Sequence, residues 1–205
     1  MIEPAEALDL LDWKRRVAEL YAFVRHAHPR AGWQRWREAR DELFRAHPQS
    51  PLPVEQRGDF GGLEVYPYDE SFRVAAEIEP APNEELRVPS SRDEEMVFTR
   101  FGTASFRLGG SEHSLEVFWI AGYGGGLFLP FRDATSGETT YGAGRYLYDT
   151  IKGADLGTTE TGALVLDFNF AYNPSCAYDP RWSCPLAPPG NVLDVRVEAG
   201  EKTPA

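Results

Sequence analysis

Leu10, Trp13, Val17, Leu20 and Val24 recur at alternating spacings of three and four, and Tyr21 widens the stripe. That pattern predicts an amphipathic helix with one buried face. Pro29 and Gly32 are expected to end it. A second helix then carries Trp33, Trp36, Leu43 and Phe44 on one face before Pro48 stops it. Continued at helical spacing, this second face passes through Arg40 and His47. Either residue, buried bare, is costly. So Arg40 pairs with a buried acid, or both residues point into a site.

Beyond residue 60 the period changes to two. Runs of β-branched and aromatic residues, each bounded by Gly, Pro, Asn or Asp, predict nine short strands. They are Leu63–Tyr66, Phe72–Ile78, Met96–Phe101, Thr103–Leu108, Ser114–Ile120, Leu127–Phe131, Arg145–Tyr148, Ala163–Phe168 and Val192–Val197. Gly109 and Gly110 predict a hairpin turn between the Thr103 and Ser114 strands. The acidic, proline-bearing stretch from Glu77 to Glu95 reads as a solvated loop. The glycines around Gly122–Gly126 lead into a strand rather than a helix, and predict a bend or bulge. No strand–helix–strand alternation follows, which excludes a doubly wound sheet. The expected fold is α+β: two N-terminal helices, then an antiparallel β-barrel or strongly curved sheet. Residues 1–205 read as one domain, with a helical front (1–47) packed on a β-rich body (60–200).

Composition agrees: 42% hydrophobic and 13% aromatic residues in 205 exclude a disordered chain. The net charge of -11 is unevenly placed. Residues 1–47 hold nine basic and eight acidic side chains, whereas the remainder holds twelve and twenty-four. Such a body disfavours nucleic acid and anionic membrane as partners. The longest uncharged stretch, Val117 to Phe131, is too short and too glycine-broken to span a bilayer. With no secretory signal read at the start, the expected location is cytoplasmic.

Sequence motifs exclude several chemistries. There is no phosphate loop, nucleophile elbow, zinc helix or calcium loop. His26 and His28 point to different faces of a helix end and are not read as a metal pair, so neither metal nor cofactor is expected. Cys176 and Cys184 match no knuckle or C-x-x-C pair. They are two buried thiols, a disulfide closing a short loop, or a pair containing a catalytic or ligating thiolate.

One constellation stands above this background. Alternation through Leu164–Phe170 puts four apolar residues on one face and Val165, Asp167 and Asn169 on the other. Asp and Asn are disfavoured in mid-strand. Arg145 and Asp149 share a face of their strand, and Arg132 follows the apolar Leu127–Phe131 run. With Tyr141, Tyr172 and Asn173 they are expected to line a barrel mouth, a usual shape for a small-molecule site. The competing reading is a buried Arg–Asp lattice that ties loops to the sheet.

The same residues carry a resemblance. The run Leu127 to Gly137 (LFLPFRDATSG), Tyr141 to Arg145 (YGAGR), Asp167-Phe-Asn169 with Ala171 to Pro174, Cys176 with Cys184-Pro185, Ala199-Gly-Glu201, and His47 to Leu52 (HPQSPL) resemble a bacterial and archaeal family called domain of unknown function 1684. The resemblance runs from about Leu8 to Glu201. It implies one compact unit of about two hundred residues and no established activity. Gly190 stands where the family pattern has an acidic residue before Asn191.

Three functions remain. The first is an enzyme of hydrolase, lyase or isomerase type acting on a polar or anionic metabolite. In it Arg40, Arg132, Tyr141, Arg145, Asn169 and Asn173 bind substrate, while Asp167 moves a proton with His47 or Tyr172 as partner. The second is a non-catalytic barrel that binds a small molecule. The third is an adaptor docking through its Arg-rich helices; a homodimer is compatible with all three.

Overall fold

A computed structural model describes residues 3–92, 95–120 and 124–204. Helix α1 spans Pro4–His26 and helix α2 spans Pro29–Ala46. Pro29 occupies the first turn of α2, where its missing N–H costs nothing. It therefore starts the second helix, and Gly32 lies within that helix rather than ending the first. The inward faces carry the expected residues: Leu20, Tyr21 and Val24 on α1, and Trp33, Trp36, Leu43 and Phe44 on α2 are buried. The Trp36 indole N–H donates to the Tyr21 hydroxyl across the helix pair at 3.2 Å. The first half of the expected α1 stripe is not fully buried: Leu10 is exposed along with Leu8 and Leu11, and Trp13 and Val17 are half-buried.

Six antiparallel strands follow: β1 (Arg73–Pro89), β2 (Glu95–Leu108), β3 (Ser111–Ile120), β4 (Gly126–Phe131), β5 (Arg145–Asp149) and β6 (Leu164–Asp167). Their order is β5-β4-β3-β2-β1-β6. Past β6, Tyr172 exchanges both backbone hydrogen bonds with Tyr146 on β5. This link brings the two ends of the sheet together into a nearly closed barrel. The main core fills its interior and continues onto the helices through Trp36 and Phe170, whose rings meet edge to face. A second cluster, Val88, Phe98, Phe118, Phe128 and Tyr146, packs the long β1–β2–β3 arms.

The nine expected strands become six for three local reasons. The Met96–Phe101 and Thr103–Leu108 runs form the single strand β2, with a register shift between Arg100 and Gly102. Leu63–Tyr66 contributes one bridge, Val65 to Glu201. Val192–Val197 pairs at an isolated Arg132–Val192 bridge; farther along, the Val195 carbonyl accepts from the Ala134 N–H and the Val197 carbonyl from a side chain described below. The Glu77–Glu95 stretch is a second correction. It is solvated, but up to Pro89 it is strand β1, paired with β2 from Glu77 to Pro89. Beyond Ala76 the other edge of β1 has no strand partner among the described residues, an edge that tolerates Pro80 and Pro82. Gly109 and Gly110 both take positive φ, as the expected hairpin turn requires. Of the expected bend at Gly122–Gly126, residues 121–123 lie outside the described residues.

No described helix is long and apolar enough to cross a membrane.

Candidate functional site

A cavity of about 60 Å³ opens where α1, α2 and the mouth of the barrel meet. Trp13, Val17 and Tyr21 come from α1, Arg40 and Phe44 from α2, Tyr146 and Lys152 from β5 and the turn after it, and Tyr172 and Asn173 from the segment past β6. Helical spacing puts Arg40 one turn from both Trp36 and Phe44. Its guanidinium carbon lies 5.1 Å from each of those ring centres and 5.0 Å from that of Tyr172. Arg40 Nε and Nη2 donate to Glu201 Oε1 at 2.7 and 2.6 Å. Glu201 Oε2 accepts from the Asn173 backbone N–H at 2.8 Å and from the Tyr178 hydroxyl at 3.0 Å. Burial works against the charge of Arg40, but Glu201 together with Tyr178 and Tyr21 raises the guanidinium above its ordinary value. Arg40 thus has the buried acid that its place on an apolar face requires.

Glu201 reaches this spot because Gly200 precedes it. Gly200 has φ of +76°, and an added Cβ there would lie 2.5 Å from the Ala171 carbonyl oxygen. Nothing periodic in the sequence links Arg40 to a glutamate 161 residues away. Its place in the Ala199-Gly-Glu201 motif was the only signal.

Asn173 is 3% exposed. Its Nδ2 donates to the Lys202 carbonyl at 2.7 Å and toward the Tyr178 hydroxyl at 3.3 Å. These contacts fix which end of the amide is oxygen, and Oδ1 has no hydrogen-bond partner among the described residues. Tyr172 is different: burial pushes its hydroxyl well above the usual range, so it stays a phenol at neutral pH.

The remaining candidates lie elsewhere. His47 follows α2, with Nδ1 accepting from the Gln49 N–H at 3.0 Å and Nε2 lying 3.3 Å from Asp12 Oδ2. It clamps the end of the helix. Asp167 ends β6 and accepts from the Asn169 N–H and Nδ2 at 3.1 and 2.8 Å. Burial pushes its carboxyl up to about 6 against these bonds and Arg73. It lines a separate cleft of about 570 Å³ with His26, Arg73 and Glu160. The expected proton-transfer set of Asp167 with His47 or Tyr172 is therefore not assembled. Asn169 is not in a strand at all but in the tight turn Phe168–Phe170, and its amide is consumed by Asp69 and Asp167.

Arg145 is 1% exposed, and every hydrogen bond it makes is structural. Nη1 donates to the Ala199 and Glu201 carbonyls, and Nη2 to Asp133 Oδ1 and the Val197 carbonyl. One side chain thereby holds the 197–201 backbone in place of a neighbouring strand. Here the buried lattice is what the fold contains, not a substrate clamp. Arg132 is exposed and is tied to the tail by its backbone, its N–H donating to the Asn191 carbonyl and its carbonyl accepting from the Leu193 N–H. Tyr141 is half-buried, its hydroxyl 3.9 Å from Cys176 Sγ. At Gly190, an added Cβ would sit 2.6 Å from the Glu116 carboxylate, so an acid there would require Glu116 to move from its place beside Arg100. Among the described residues no three His, Cys, Asp or Glu side chains group as a metal site.

No curated protein matches the chain. A solution NMR structure of the uncharacterized protein from gene locus rrnAC0354 of Haloarcula marismortui matches with 38% identity and a TM-score of 0.61. The match covers 84% of this chain and 93% of that one. The family described as "Protein of unknown function (DUF1684)" matches residues 58–202, which takes in the barrel and tail and leaves out the two helices. The chain therefore belongs to the DUF1684 family.

Proposed function

We propose that the protein binds a small, neutral, polar molecule in the cavity at the barrel mouth. The observation that carries this reading is Asn173, a residue of the cavity wall whose Oδ1 is a buried acceptor with no hydrogen-bond partner among the described residues. Leaving such a group unsatisfied costs about 1–3 kcal/mol, which a ligand donor would recover. Opposite in character is Arg40, whose bonds to Glu201 use Nε and Nη2 and leave Nη1 for an acceptor. Charge selects against a full anion. Arg40 is neutralised by Glu201, and Lys152 lies 3.5 Å from Asp149. A group offering one donor and one acceptor, a carboxamide or a hydroxy-carbonyl, matches both edges. The volume admits only a few heavy atoms.

Thermal-shift titration and ligand-observed NMR with small amides, hydroxy-ketones and carboxylates of matched carbon number test the reading. Amides or hydroxy-ketones should raise the Tm saturably, and Asn173→Leu should abolish the effect. Greater stabilisation by the carboxylates, or no saturable binder in either class, overturns it.

The separate Asp167 cleft supports a second reading, acid–base catalysis. Its specific basis is the carboxyl raised to about 6 beside His26 and Arg73. A hydrolytic activity of the purified protein that has a pH limb near that value and is lost in Asp167→Asn would favour this reading over simple binding.

A further inference from the structure

Cys176 and Cys184 flank the loop that carries Tyr178. Cys176 is half-buried in the short 3-10 turn Ser175–Ala177, and Cys184 is buried beside the Ser90–Pro185 bridge. The Cys176 N–H donates to Cys184 Sγ at 3.3 Å, and the Cys184 N–H donates to Ser91 Oγ at 3.1 Å. The Tyr141 hydroxyl lies 3.9 Å from the Cys176 sulfur. Two cysteines joined through the Cys176 N–H, one partly accessible beside the Tyr141 hydroxyl and the other buried, make an asymmetric pair.

We propose that Cys176 and Cys184 are a peroxide-reactive dithiol in which Cys176 is the attacking thiol and Cys184 the resolving one. In the first step the Cys176 thiolate attacks one oxygen of a hydroperoxide, the O–O bond breaks, and the leaving oxyanion takes a proton from solvent. Cys176 becomes a sulfenic acid. In the second step Cys184 gives up its proton, its sulfur forms the S–S bond, and hydroxide leaves Cys176 as water. With hydrogen peroxide the balance is two thiols and one peroxide to one disulfide and two waters.

The electrostatics agree with these roles. The hydrogen bond from Cys184 outweighs burial and lowers Cys176 to about 6, whereas the same contact and burial raise Cys184. The other titratable groups facing the pair are Tyr141, Tyr146 and Lys152. The contact that raises Cys184 depends on the Cys176 thiolate. Conversion of Cys176 to a neutral sulfenic acid removes that charge, which frees Cys184 to ionise for the second step. Because Tyr178 lies between the two cysteines and donates to Glu201, the bridge would also be felt at the cavity. The inference goes beyond small-molecule binding and does not depend on it.

The test uses the full chain, with alkylation by iodoacetamide across pH and peptide mapping, then hydrogen peroxide titration followed by intact mass. In the native protein Cys176 should alkylate with a midpoint near pH 6 and at least about tenfold faster than Cys184. One equivalent of peroxide should remove the mass of two hydrogens and block both thiols. In Cys184→Ser, dimedone should trap a sulfenic acid at Cys176; in Cys176→Ser, no adduct should form. Equal alkylation of the two thiols with a midpoint near that of free cysteine, or stepwise gain of oxygen at either sulfur without a bridge, overturns the proposal. The alkylation profile and peroxide titration are read on the unsubstituted protein, so they decide the matter even where a serine variant does not fold.

Discussion

Arg40 and Arg145 are both buried arginines paired with a buried carboxylate, one at the barrel mouth and one beneath the C-terminal tail. Arg145 commits its two Nη groups to three backbone carbonyls and Asp133. Burial there wins over Asp133 and lowers the guanidinium. Arg40 meets a single carboxylate oxygen and three aromatic rings, and its pair with Glu201 raises it. The difference separates a strut from a site. A buried arginine whose donors are consumed by backbone replaces secondary structure, whereas one with an unengaged edge beside a cavity is available to a ligand.

The comparison can be broken by removing each arginine in turn. Arg145→Met should cost about 3–5 kcal/mol, because it takes the cation from a buried carboxylate and unties three backbone carbonyls at once, although Asp133 keeps the Thr135 and Val197 N–H groups. Urea unfolding measures it, and a loss near zero would end the strut reading. Arg40→Met should cost less, about 1.5–3 kcal/mol, since Arg40 holds no backbone carbonyl and Glu201 keeps the Asn173 N–H and Tyr178 hydroxyl. The order of these two losses is the essential result; if Arg40 costs more, the contrast is lost.

A buried charge with weaker pairing sharpens the contrast. Asp167 lies 3.6 Å from a partly exposed Arg73, and its folded value of about 6 stands above the unfolded one. The native state therefore binds the extra proton. Its contribution is fully present below about pH 4 and is lost as pH rises through about 6. Asp167→Asn should abolish this pH dependence, with a gain over the unsubstituted protein at pH 7 on the order of 1 kcal/mol. Urea midpoints measured across that range decide it. At the small end, Arg107→Ala breaks an exposed pair with Glu112 and should change stability by less than about 0.5 kcal/mol. A larger loss would mean that burial is not what distinguishes the other three.

The helices were legible in the sequence because periodicity reports burial directly: the Leu20, Val24, Trp33 and Trp36 positions are buried as their spacing demands. The hairpin at Gly109–Gly110 was legible because few residues accept positive φ at two successive positions. By contrast, the outer half of β1 was hidden by its prolines and glutamates. A strand edge without a strand partner, whose residues 82–85 are all exposed, looks like a loop, although Leu86 and Val88 beyond it pack into the second cluster. Of the candidate site, Arg40, Tyr172 and Asn173 come together at one cavity. Asp167 and Arg145 drew notice for the same reason, a polar group breaking an apolar pattern, yet they lie in different places doing different work.

The sequence by itself determined that two amphipathic helices precede an acidic β-rich body, and that a few polar residues on apolar faces would need partners. Those follow from local spacing and from the cost of burying charge, which operate residue by residue. Which partner each one found was decided by tertiary structure alone. Glu201 meets Arg40 across 161 residues of chain, the 197–201 carbonyls meet Arg145, and Asp167 is carried away from Tyr172. Such pairings depend on how the sheet curls and where the tail returns, and neither is written in any local pattern.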